Sequence, residues 1–382
     1  MAHASVVIVG GGVIGASIAF HLAEAGVEDV LLVEQAELGS GSTSKGAGGV
    51  RAMFSDELNV RIGLRSLQAW GAFGKRPGWE IDLHRVGYLF LLSSDAEVSE
   101  FERSVEMQNR LGIPSRMLTA DEAHELSPLA GMEGVLAGVF CPLAGHATPE
   151  GAVQGYASAS RAHGVRIETH TKVTGIEPGA VTIEGRGVSA GSGERGGSGA
   201  SGGRVIPAEC VICAAGPWSR GIGELSGVDL PVRPERRRIA YTGPLAIDRE
   251  PPMTIDFATG FYFHGEGRGL LFGTNDVCDT QDEWLERAVP VLDMRAPVLL
   301  DAPIAGGWWG DYEMTPDRNA LIGEAEADPG RFLYATGFSG HGFLQAPAVG
   351  EIVRDLYLRR EPFVDVSALA AGRPERRERN VV

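Results

Sequence analysis

A glycine-rich turn between an apolar strand pattern and an apolar helix pattern is the feature that most constrains the fold. The turn reads Gly10-x-Gly12-x-x-Gly15, with residues 5–9 as the strand and residues 13–25 as the helix. A second apolar run, residues 30–33, ends at Glu34. In such a β-α-β unit the glycines permit a tight turn and close approach of a pyrophosphate, while the acidic residue binds ribose hydroxyls. The pattern therefore predicts a dinucleotide-binding unit.

Length and charge restrict what surrounds this unit. A chain of 382 residues is too long for one ordinary core and predicts two domains. The formal net charge of -16 disfavours nucleic acid or an anionic membrane surface as a partner, because both bind basic faces. No run of eighteen apolar residues is present, so we predict no membrane span.

The cysteines predict neither a disulfide framework nor a metal site. Cys210 and Cys213 have the spacing of half a zinc site, but they lie in an apolar run that is typical of a buried strand. Three residues apart on a strand, their side chains point to opposite faces. We therefore predict buried packing for both, and a reducing, cytoplasmic setting for the chain.

Three later segments distinguish FAD from NAD as the dinucleotide. Residues 39–51 form a loop of glycine, serine and threonine that can wrap a pyrophosphate, where an NAD enzyme usually returns to another β-α unit. A buried strand pattern then ends at Ala215 and Gly216. Near the end of the chain, a strand pattern ends at Gly337 and a glycine-rich turn leads into the final helix. The start of that helix can stabilise the negative charge of a reduced flavin.

Taken in this order, the motifs resemble those of the D-amino-acid oxidase superfamily of flavoproteins, and more closely its sarcosine oxidase β-subunit branch. The matching segments are GGGVIG, GSTSKGAGGVR, AAGPWS, YEMTPD and GFSGHGFLQAP. The resemblance implies an α/β fold of the glutathione-reductase-like type, with a Rossmann-type FAD-binding domain and an antiparallel-sheet (α+β) substrate domain. It places the FAD domain at 1–83, 145–232 and 310–382, and the substrate domain at 84–144 and 233–309. We expect residues 185–204, which are low in complexity, to form a floppy insertion.

The resemblance also predicts which residues bind the cofactor. We expect FAD contacts from Gly10, Gly12, Val13, Ile14, Gly15, Glu34, Gln35, Gly41, Ser42, Thr43, Ser44, Gly48, Gly49, Val173, Ala215, Gly216, Trp218, Gly310, Gly337, Gly340, His341, Gly342, Phe343 and Leu344. Some relatives attach FAD through a cysteine just before the TPD-like motif. No cysteine lies near that place here, so we expect non-covalent FAD.

The activity that the resemblance implies is oxidation of a small amine or amino acid (sarcosine-, proline- or glycine-like) by hydride transfer to flavin N5, giving an imine. Two substrate-carboxylate contacts of relatives are missing, because Tyr312 stands where one branch has arginine and Leu344 where another has lysine. Residues 269–273 also lack the lysine that speeds oxygen reduction in monomeric oxidases. Electrons can therefore pass to oxygen or to another acceptor, and a partner subunit is possible.

The candidate catalytic residues are Arg51, Tyr262, His264 and Tyr312. Arg51 matches an arginine that binds carboxylate in the sarcosine branch, although an ion pair with Asp56 or Glu57 is an alternative. Tyr262 and His264 share one face of a predicted strand, so each could contact substrate or serve in packing, and His264 could be a base. We expect His341 to have a structural and flavin-contacting role.

Two other functions remain compatible with the sequence. The same hydride geometry serves FAD-dependent oxidation of a 2-hydroxy acid. A flavin-binding assembly protein without turnover would also explain the missing arginine and lysines.

Overall fold

The architecture was obtained as a computed structural model that describes residues 3–185, 203–325 and 331–381. The predicted insertion at 185–204 falls almost wholly outside the described residues. The rest of the chain forms two large mixed layers of sheet and helix, with the main cavity between them.

The secondary structure follows the order expected from the sequence. The strands are β1 (Ala4–Val9), β2 (Val30–Val33), β3 (Gly49–Val50), β4 (Tyr88–Leu92), β5 (Arg116–Leu118), β6 (Ala137–Cys141), β7 (Gly145–His146), β8 (Arg166–Glu168), β9 (Thr171–Glu177), β10 (Ala180–Gly185), β11 (Arg204–Cys213), β12 (Arg233–Thr242), β13 (Met253–Asp256), β14 (Tyr262–Glu266), β15 (Gly269–Gly273), β16 (Ile304–Met314), β17 (Leu321–Ala325) and β18 (Arg331–Thr336). The α-helices are α1 (Val13–Glu24), α2 (Glu57–Gly71), α3 (Asp95–Arg110), α4 (Ala120–Leu126), α5 (Pro149–Ala162), α6 (Ser219–Leu225), α7 (Gln281–Arg295) and α8 (Gly342–Tyr357).

The first sheet carries the predicted β-α-β unit. Its order is β17-β18-β11-β1-β2-β8, and the five strands from β18 to β8 run parallel. Cys210 and Cys213 of β11 belong to two different buried clusters, one on each face of this sheet. Both thiols are free, and the prediction that they pack in the interior is confirmed. A parallel sheet covered on both faces explains why these strands are apolar throughout.

Helix α1 is buried nearly all round because it lies between the sheet and two other helices. It packs against α8 and α5, and its residues from Val13 to Ala23 are buried. The close approach to α8 depends on Gly350, where a Cβ would lie 2.3 Å from the Ser17 hydroxyl and 2.5 Å from His21 Nδ1. This packing fixes the start of α1 beside the main cavity.

The second sheet forms the other wall of the cavity. Its order is β16-β12-β15-β14-β13-β4-β6-β5, and it is antiparallel except where β13 runs parallel to β4. Helix α7 covers its outer face through Trp284, which packs on Phe272. The fold is therefore mixed α/β with a largely antiparallel second sheet, as predicted. Its strands lie in the segments 88–141 and 233–314, and the exact domain boundaries stay a prediction.

Two segments fold differently from what their sequence patterns predict. The strand pattern at 82–93 yields only Tyr88–Leu92, because Gly87 adopts a left-handed conformation with φ +87° just before it. The arginine-rich tail, residues 373–380, has a composition typical of a solvated end, but it folds back on the chain. Glu378 is 2% exposed and Asn380 is fully buried. No helix of the described residues is long and apolar enough to cross a membrane.

Candidate functional site

The main cavity lies between the two large sheets and has a volume of about 1000 Å³. It extends from Glu34, at the end of β2, to Arg51 and Tyr262 beside the second sheet. This volume is at the upper end of the range of roughly 300–1,000 Å³ for small-molecule pockets. The cavity can therefore hold a ligand of dinucleotide size.

The glycine turn at one end of the cavity has the geometry that the sequence predicts. Gly10 has φ +112°, and a Cβ there would lie 2.3 Å from the Ala214 carbonyl oxygen. A Cβ on Gly15 would lie 1.9 Å from the Gly10 carbonyl oxygen, so helix and turn meet through bare backbone. Side chains are excluded from both positions, which leaves the N-terminus of α1 open to a phosphate.

Glu34 and Thr43 order the backbone at this end. The Glu34 carboxylate accepts hydrogen bonds from Gly11 N at 2.7 Å and Ala36 N at 2.8 Å. The Thr43 hydroxyl accepts one from Val13 N at 3.1 Å. Glu34 also lines the cavity, so its carboxylate is held by the backbone where a ribose would reach it.

Most residues predicted to contact the cofactor line this cavity. They are Gly10, Gly12, Val13, Ile14, Glu34, Gln35, Gly41, Ser42, Thr43, Gly48, Gly49, Val173, Ala215, Gly216, Trp218, Gly340, His341, Gly342, Phe343 and Leu344. This set comes from both ends of the chain and fits FAD. No cysteine is among the lining residues of the described ranges, in keeping with the predicted non-covalent binding.

Four predicted residues lie behind the cavity wall. Gly15 packs under the turn, and Gly310 lies against Lys45, where a Cβ would be 2.4 Å from the Lys45 Cβ. Gly337 donates its N–H to Glu313 at 2.9 Å. Ser44 lines a second cavity on the other side of the loop. These four residues support the cavity wall from behind. The sequence motifs do not distinguish residues that line the cavity from residues that support its wall.

Arg51 lies in the cavity wall, 3% exposed, with its guanidinium over the rings of Phe54 and Phe90. It donates hydrogen bonds to the carbonyl oxygens of Met53 and, at 3.0 Å, Asn380. Burial lowers the pKa of Arg51, yet an arginine side chain keeps its charge in proteins. A buried cation whose hydrogen bonds go to neutral carbonyls can accept an anionic ligand.

The alternative interpretation of Arg51 was an ion pair with a neighbouring helix. Asp56 instead accepts the N–H groups of Leu58 and Asn59 at the start of α2 and pairs with Arg376. Glu57 pairs with Arg61. Both carboxylates are therefore engaged by other arginines.

Three tyrosines, Tyr88, Tyr262 and Tyr312, line the same part of the cavity. Burial raises the pKa of each phenol, so all three are neutral donors near neutral pH. Met253 and Ile255 of β13 add an apolar surface. This end of the cavity combines one cation, hydroxyl groups and apolar walls.

Glu313 is a half-buried carboxyl group that lines the cavity. It accepts hydrogen bonds from the Thr336 hydroxyl and Gly337 N, each at 2.9 Å. Burial raises its pKa to about 7. Its position between β18 and the start of α8 fixes the turn that carries Gly340 and His341.

The two candidate histidines lie in different places. His341 lines the main cavity, and its Nδ1 is 3.1 Å from the Phe338 carbonyl oxygen. Burial holds its pKa well below the ordinary value, so the ring is neutral. When Nδ1 carries the proton, Nε2 is an acceptor.

His264 lines the second cavity instead. Its Nε2 is 2.9 Å from the Ala47 carbonyl oxygen, and its Nδ1 is 2.7 Å from that of Gly265. Burial lowers its pKa to about 3. Both nitrogens face backbone carbonyls, so the ring is placed to support the Gly46–Gly49 loop. His264 is not among the residues that line the main cavity. A catalytic role for it stays a prediction.

The arginine run of β12 alternates between the two faces of the sheet, because successive side chains on a strand point to opposite faces. Arg236 and Arg238 both lie over the Trp309 ring, at 4.8 and 5.2 Å, on the outer face of the sheet. Arg237 faces the other way, over Tyr312 at 5.7 Å. Arg237 is therefore the arginine of this run closest to the cavity lining.

Sequence reasoning missed Tyr88, Glu313 and Asn380 as parts of this site. Glu313 lies inside a motif that already carried the resemblance, beside Tyr312, and that was an available signal. Tyr88 sits within a strand pattern of apolar residues and has no distinguishing context. Asn380 reaches Arg51 through a tail whose charged composition is typical of a solvated end.

Comparison with known proteins agrees with this site. Residues 5–356 match the model of the DAO family, described as FAD dependent oxidoreductase. Mitochondrial dimethylglycine dehydrogenase of Mus musculus is 29% identical over 97% of this chain, but the alignment covers 44% of that relative. The chain thus spans under half the length of this relative. FAD-dependent oxidoreductase domain-containing protein 1 of Bos taurus is 30% identical, over 93% of this chain and 81% of that protein.

A solved structure supports the same relationship. L-proline dehydrogenase from P. horikoshii superimposes with a TM-score of 0.85 and 30% identity, covering 96% of each chain. Sequence, cavity and whole-chain similarity therefore agree, and this chain belongs to the DAO family of FAD-dependent oxidoreductases.

Proposed function

We propose that this chain oxidises a small amine or amino acid that carries a carboxylate, at the carbon next to the nitrogen. The observation that carries the proposal is Arg51, a buried cation in the wall of the FAD cavity. Buried charges are ordinarily paired. The hydrogen bonds of this cation go to two neutral carbonyl oxygens, and the Glu378 carboxylate acts on it at longer range. A substrate carboxylate would complete its hydrogen bonding.

Bound FAD supplies the hydride acceptor for such a reaction. The residues of the chain bind and orient the substrate. Arg51 would hold the carboxylate, and the hydroxyl groups of Tyr262 and Tyr312 are donors that can fix the remaining polar atoms. Met253 and Ile255 would exclude water from the side of the reacting carbon.

His341 is the imidazole that the main cavity offers as a proton acceptor. Its ring is neutral, and a proton on Nδ1, toward the Phe338 carbonyl oxygen, leaves the Nε2 lone pair free. We propose that Nε2 accepts a hydrogen bond within the site. Tyr312 occupies the position of an arginine in other relatives, so Arg51 is the proposed replacement for that missing cation.

The names of the relatives support the substrate class. Dimethylglycine and proline, which appear in them, are both small and carry one amine and one carboxylate. The names include dehydrogenases, and strand β15 (Gly269–Gly273) has no lysine. We therefore propose an electron acceptor other than oxygen, and a partner subunit is one class of such acceptor. The free cysteines support a reducing, cytoplasmic setting as part of the proposal.

Turnover assays with a substrate panel test this function. The FAD-loaded protein is incubated with an amine panel (sarcosine, dimethylglycine, glycine, L-proline and D-proline) and, separately, with a panel of 2-hydroxy acids. Oxygen or an artificial compound serves as the electron acceptor. The expected result is substrate-dependent reduction of the artificial acceptor, with formation of the hydrolysed imine product. Turnover of 2-hydroxy acids alone would move the assignment to hydroxy-acid oxidation. Absence of turnover with both panels would favour a flavin-binding protein without catalysis.

A further inference from the structure

The second cavity, of about 630 Å³, lies on the far side of the Gly46–Ala47 loop and contains a cluster outside the proposed active site. His84, His146 and Glu250 bring their ligand atoms within 4.8 Å of one another there. None of the three was singled out by the sequence. They come from three separate segments of the chain, so the cluster exists only in the folded protein.

The backbone places the two histidines side by side. His84 N donates to the His146 carbonyl oxygen at 2.9 Å, and His146 N donates back to that of His84 at 3.1 Å. Residues directly opposite in an antiparallel pair have their side chains on the same face. The two imidazole rings accordingly stack, with centroids 4.9 Å apart and planes 15° apart.

Glu250 joins the two rings at one edge. Its Oε2 is 2.9 Å from His84 Nδ1, and its Oε1 is 3.0 Å from His146 Nε2. The carboxylate reaches this place beside Gly265, where a Cβ would lie 2.8 Å from the Glu250 Cγ. The two nitrogens and the carboxylate are thus neighbours within 4.8 Å, with each nitrogen facing one of the two carboxylate oxygens.

From this geometry we propose that His84, His146 and Glu250 bind a divalent transition metal ion of the zinc type. Two imidazole nitrogens and one carboxylate oxygen are a donor set that zinc uses when it keeps one position open. Ligand atoms about 2.0–2.2 Å from zinc in a tetrahedral arrangement lie roughly 3.3–3.6 Å apart. The two nitrogen–oxygen contacts, at 2.9 and 3.0 Å, would therefore lengthen slightly on metal binding. The cavity provides room for a water molecule as the fourth ligand.

Asp82 supplies the orientation that such a site requires. Its Oδ1 is 3.2 Å from His84 Nε2, the nitrogen that faces away from Glu250. A carboxylate that accepts the N–H of a metal-binding histidine fixes which ring nitrogen is free for the metal. His146 is held by stacking on His264, with ring centroids 4.1 Å apart.

The position of the cluster indicates which parts of the fold a bound ion would connect. His146 lies in β7, which pairs with β3 of the flavin-cavity loop, and Glu250 precedes β13 of the second sheet. A bound ion would therefore tie the loop that carries Gly48 and Gly49 to the second sheet. We expect metal binding to raise the thermal midpoint of the FAD-loaded protein.

Metal titration of the FAD-loaded, chelator-treated chain tests the site. Zn²⁺ binding is measured by calorimetry, and Co²⁺ is used as a spectroscopic probe of tetrahedral coordination at wavelengths beyond the flavin bands. We expect one high-affinity ion per chain. Glu250→Gln and His84→Asn should each weaken binding at least tenfold, and Asp82→Asn by about 10- to 100-fold.

His170→Asn is the matched control. His170 also contacts a carboxylate, that of Glu37 at 2.8 Å, but forms a simple surface pair. It should bind Zn²⁺ like the unmodified protein, and retained flavin absorbance shows that each variant is folded. Absence of stoichiometric binding, or equal affinity in Glu250→Gln and His170→Asn, would overturn the proposal and leave Glu250 as a hydrogen-bonded bridge between two histidines.

Discussion

At the scale of single residues, the proposed function depends most on the Arg51 side chain. Its guanidinium is enclosed by the rings of Phe54, Tyr88 and Phe90, within 4.5 to 5.7 Å of each ring centroid. Aromatic faces and carbonyl oxygens stabilise a cation without neutralising it. The residue therefore keeps its capacity to bind a carboxylate after folding.

We predict that Arg51→Met weakens binding of sarcosine or L-proline by about 10- to 100-fold. Loss of a charge-assisted hydrogen bond costs about 1.5–3 kcal/mol, and 1.4 kcal/mol is a factor of ten. Substrate concentration dependence of flavin reduction gives the affinity. Dimethylamine and pyrrolidine, which lack the carboxylate, serve as controls and should be affected little. An equal loss for both substrate pairs would contradict a carboxylate-binding role.

At the scale of elements, the helix pair α1 and α8 gives a prediction for pH dependence. His21 of α1 is 1% exposed, and burial lowers its pKa from 6.5 to about 3. Below pH 6.5 the unfolded chain binds a proton that the folded chain does not. The free energy of unfolding therefore falls as the pH falls from 6.5 toward 3.

Replacing His21 by leucine should remove this contribution. Between pH 6.5 and pH 5, the free energy of unfolding of His21→Leu should fall by about 2 kcal/mol less than that of the unmodified protein. Urea denaturation of both proteins at several pH values measures the difference. Parallel pH profiles would show that His21 does not titrate as its burial requires.

The C-terminal tail is the second element with a testable role. The Glu378 carboxylate accepts hydrogen bonds from Ser55 N at 2.7 Å and Asn59 Nδ2 at 2.9 Å, and Asn380 O accepts one from Arg51. These contacts link the tail to the proposed substrate site. The tail is thus part of the wall that positions Arg51.

Glu378→Ala should lower the free energy of unfolding by about 2–3 kcal/mol, because several buried donors lose their acceptor. It should also raise the KM for a carboxylate-bearing substrate. Glu375→Ala, at an exposed position of the same tail, is the control and should change both values little. If the two variants behave alike, the tail does not support the site.

The elements show what sequence can predict here and what it cannot. The β-α-β unit, the final helix and the cavity-lining glycines follow from local patterns, because turn and packing requirements act on neighbouring residues. The tail could not be predicted, since its arginines and glutamates are paired with Asp56, Asp317 and Ser55, which are distant in sequence. His264 and Tyr262 are two residues apart on one strand and so share a face, yet the His264 side chain lines a different cavity. Alternation along a strand predicts which face a side chain is on, but not which cavity it reaches.

At the scale of the whole molecule, the cavity between the two large sheets takes its lining from both of them. The parallel sheet presents the dinucleotide site at the carboxyl ends of its strands, while the second sheet supplies Tyr262, Tyr312 and the apolar wall. The proposed substrate contacts therefore come from both layers, with Arg51 on the loop after β3 and the two tyrosines on the second sheet.

The preference for one electron acceptor over another depends on the groups that the whole fold brings to the cavity. We predict that the reduced protein recolours slowly when mixed with air, but rapidly with an artificial acceptor. Strand β15 carries no lysine or arginine that could stabilise the negative charge that forms on oxygen as it is reduced. Stopped-flow mixing of the reduced protein with each acceptor gives the two rates. Faster reoxidation by oxygen than by the artificial acceptor would identify an oxidase.

The proposed function requires the bound flavin to take electrons from a small amine that carries a carboxylate. Anaerobic titration of the FAD-loaded protein with sarcosine, L-proline, D-proline and glycine tests it most directly, with flavin absorbance as the readout. We predict that at least one of them bleaches the flavin band, and that Arg51→Met requires a higher concentration of the same substrate. A flavin that stays oxidised with every amine, yet is bleached by dithionite, would contradict it.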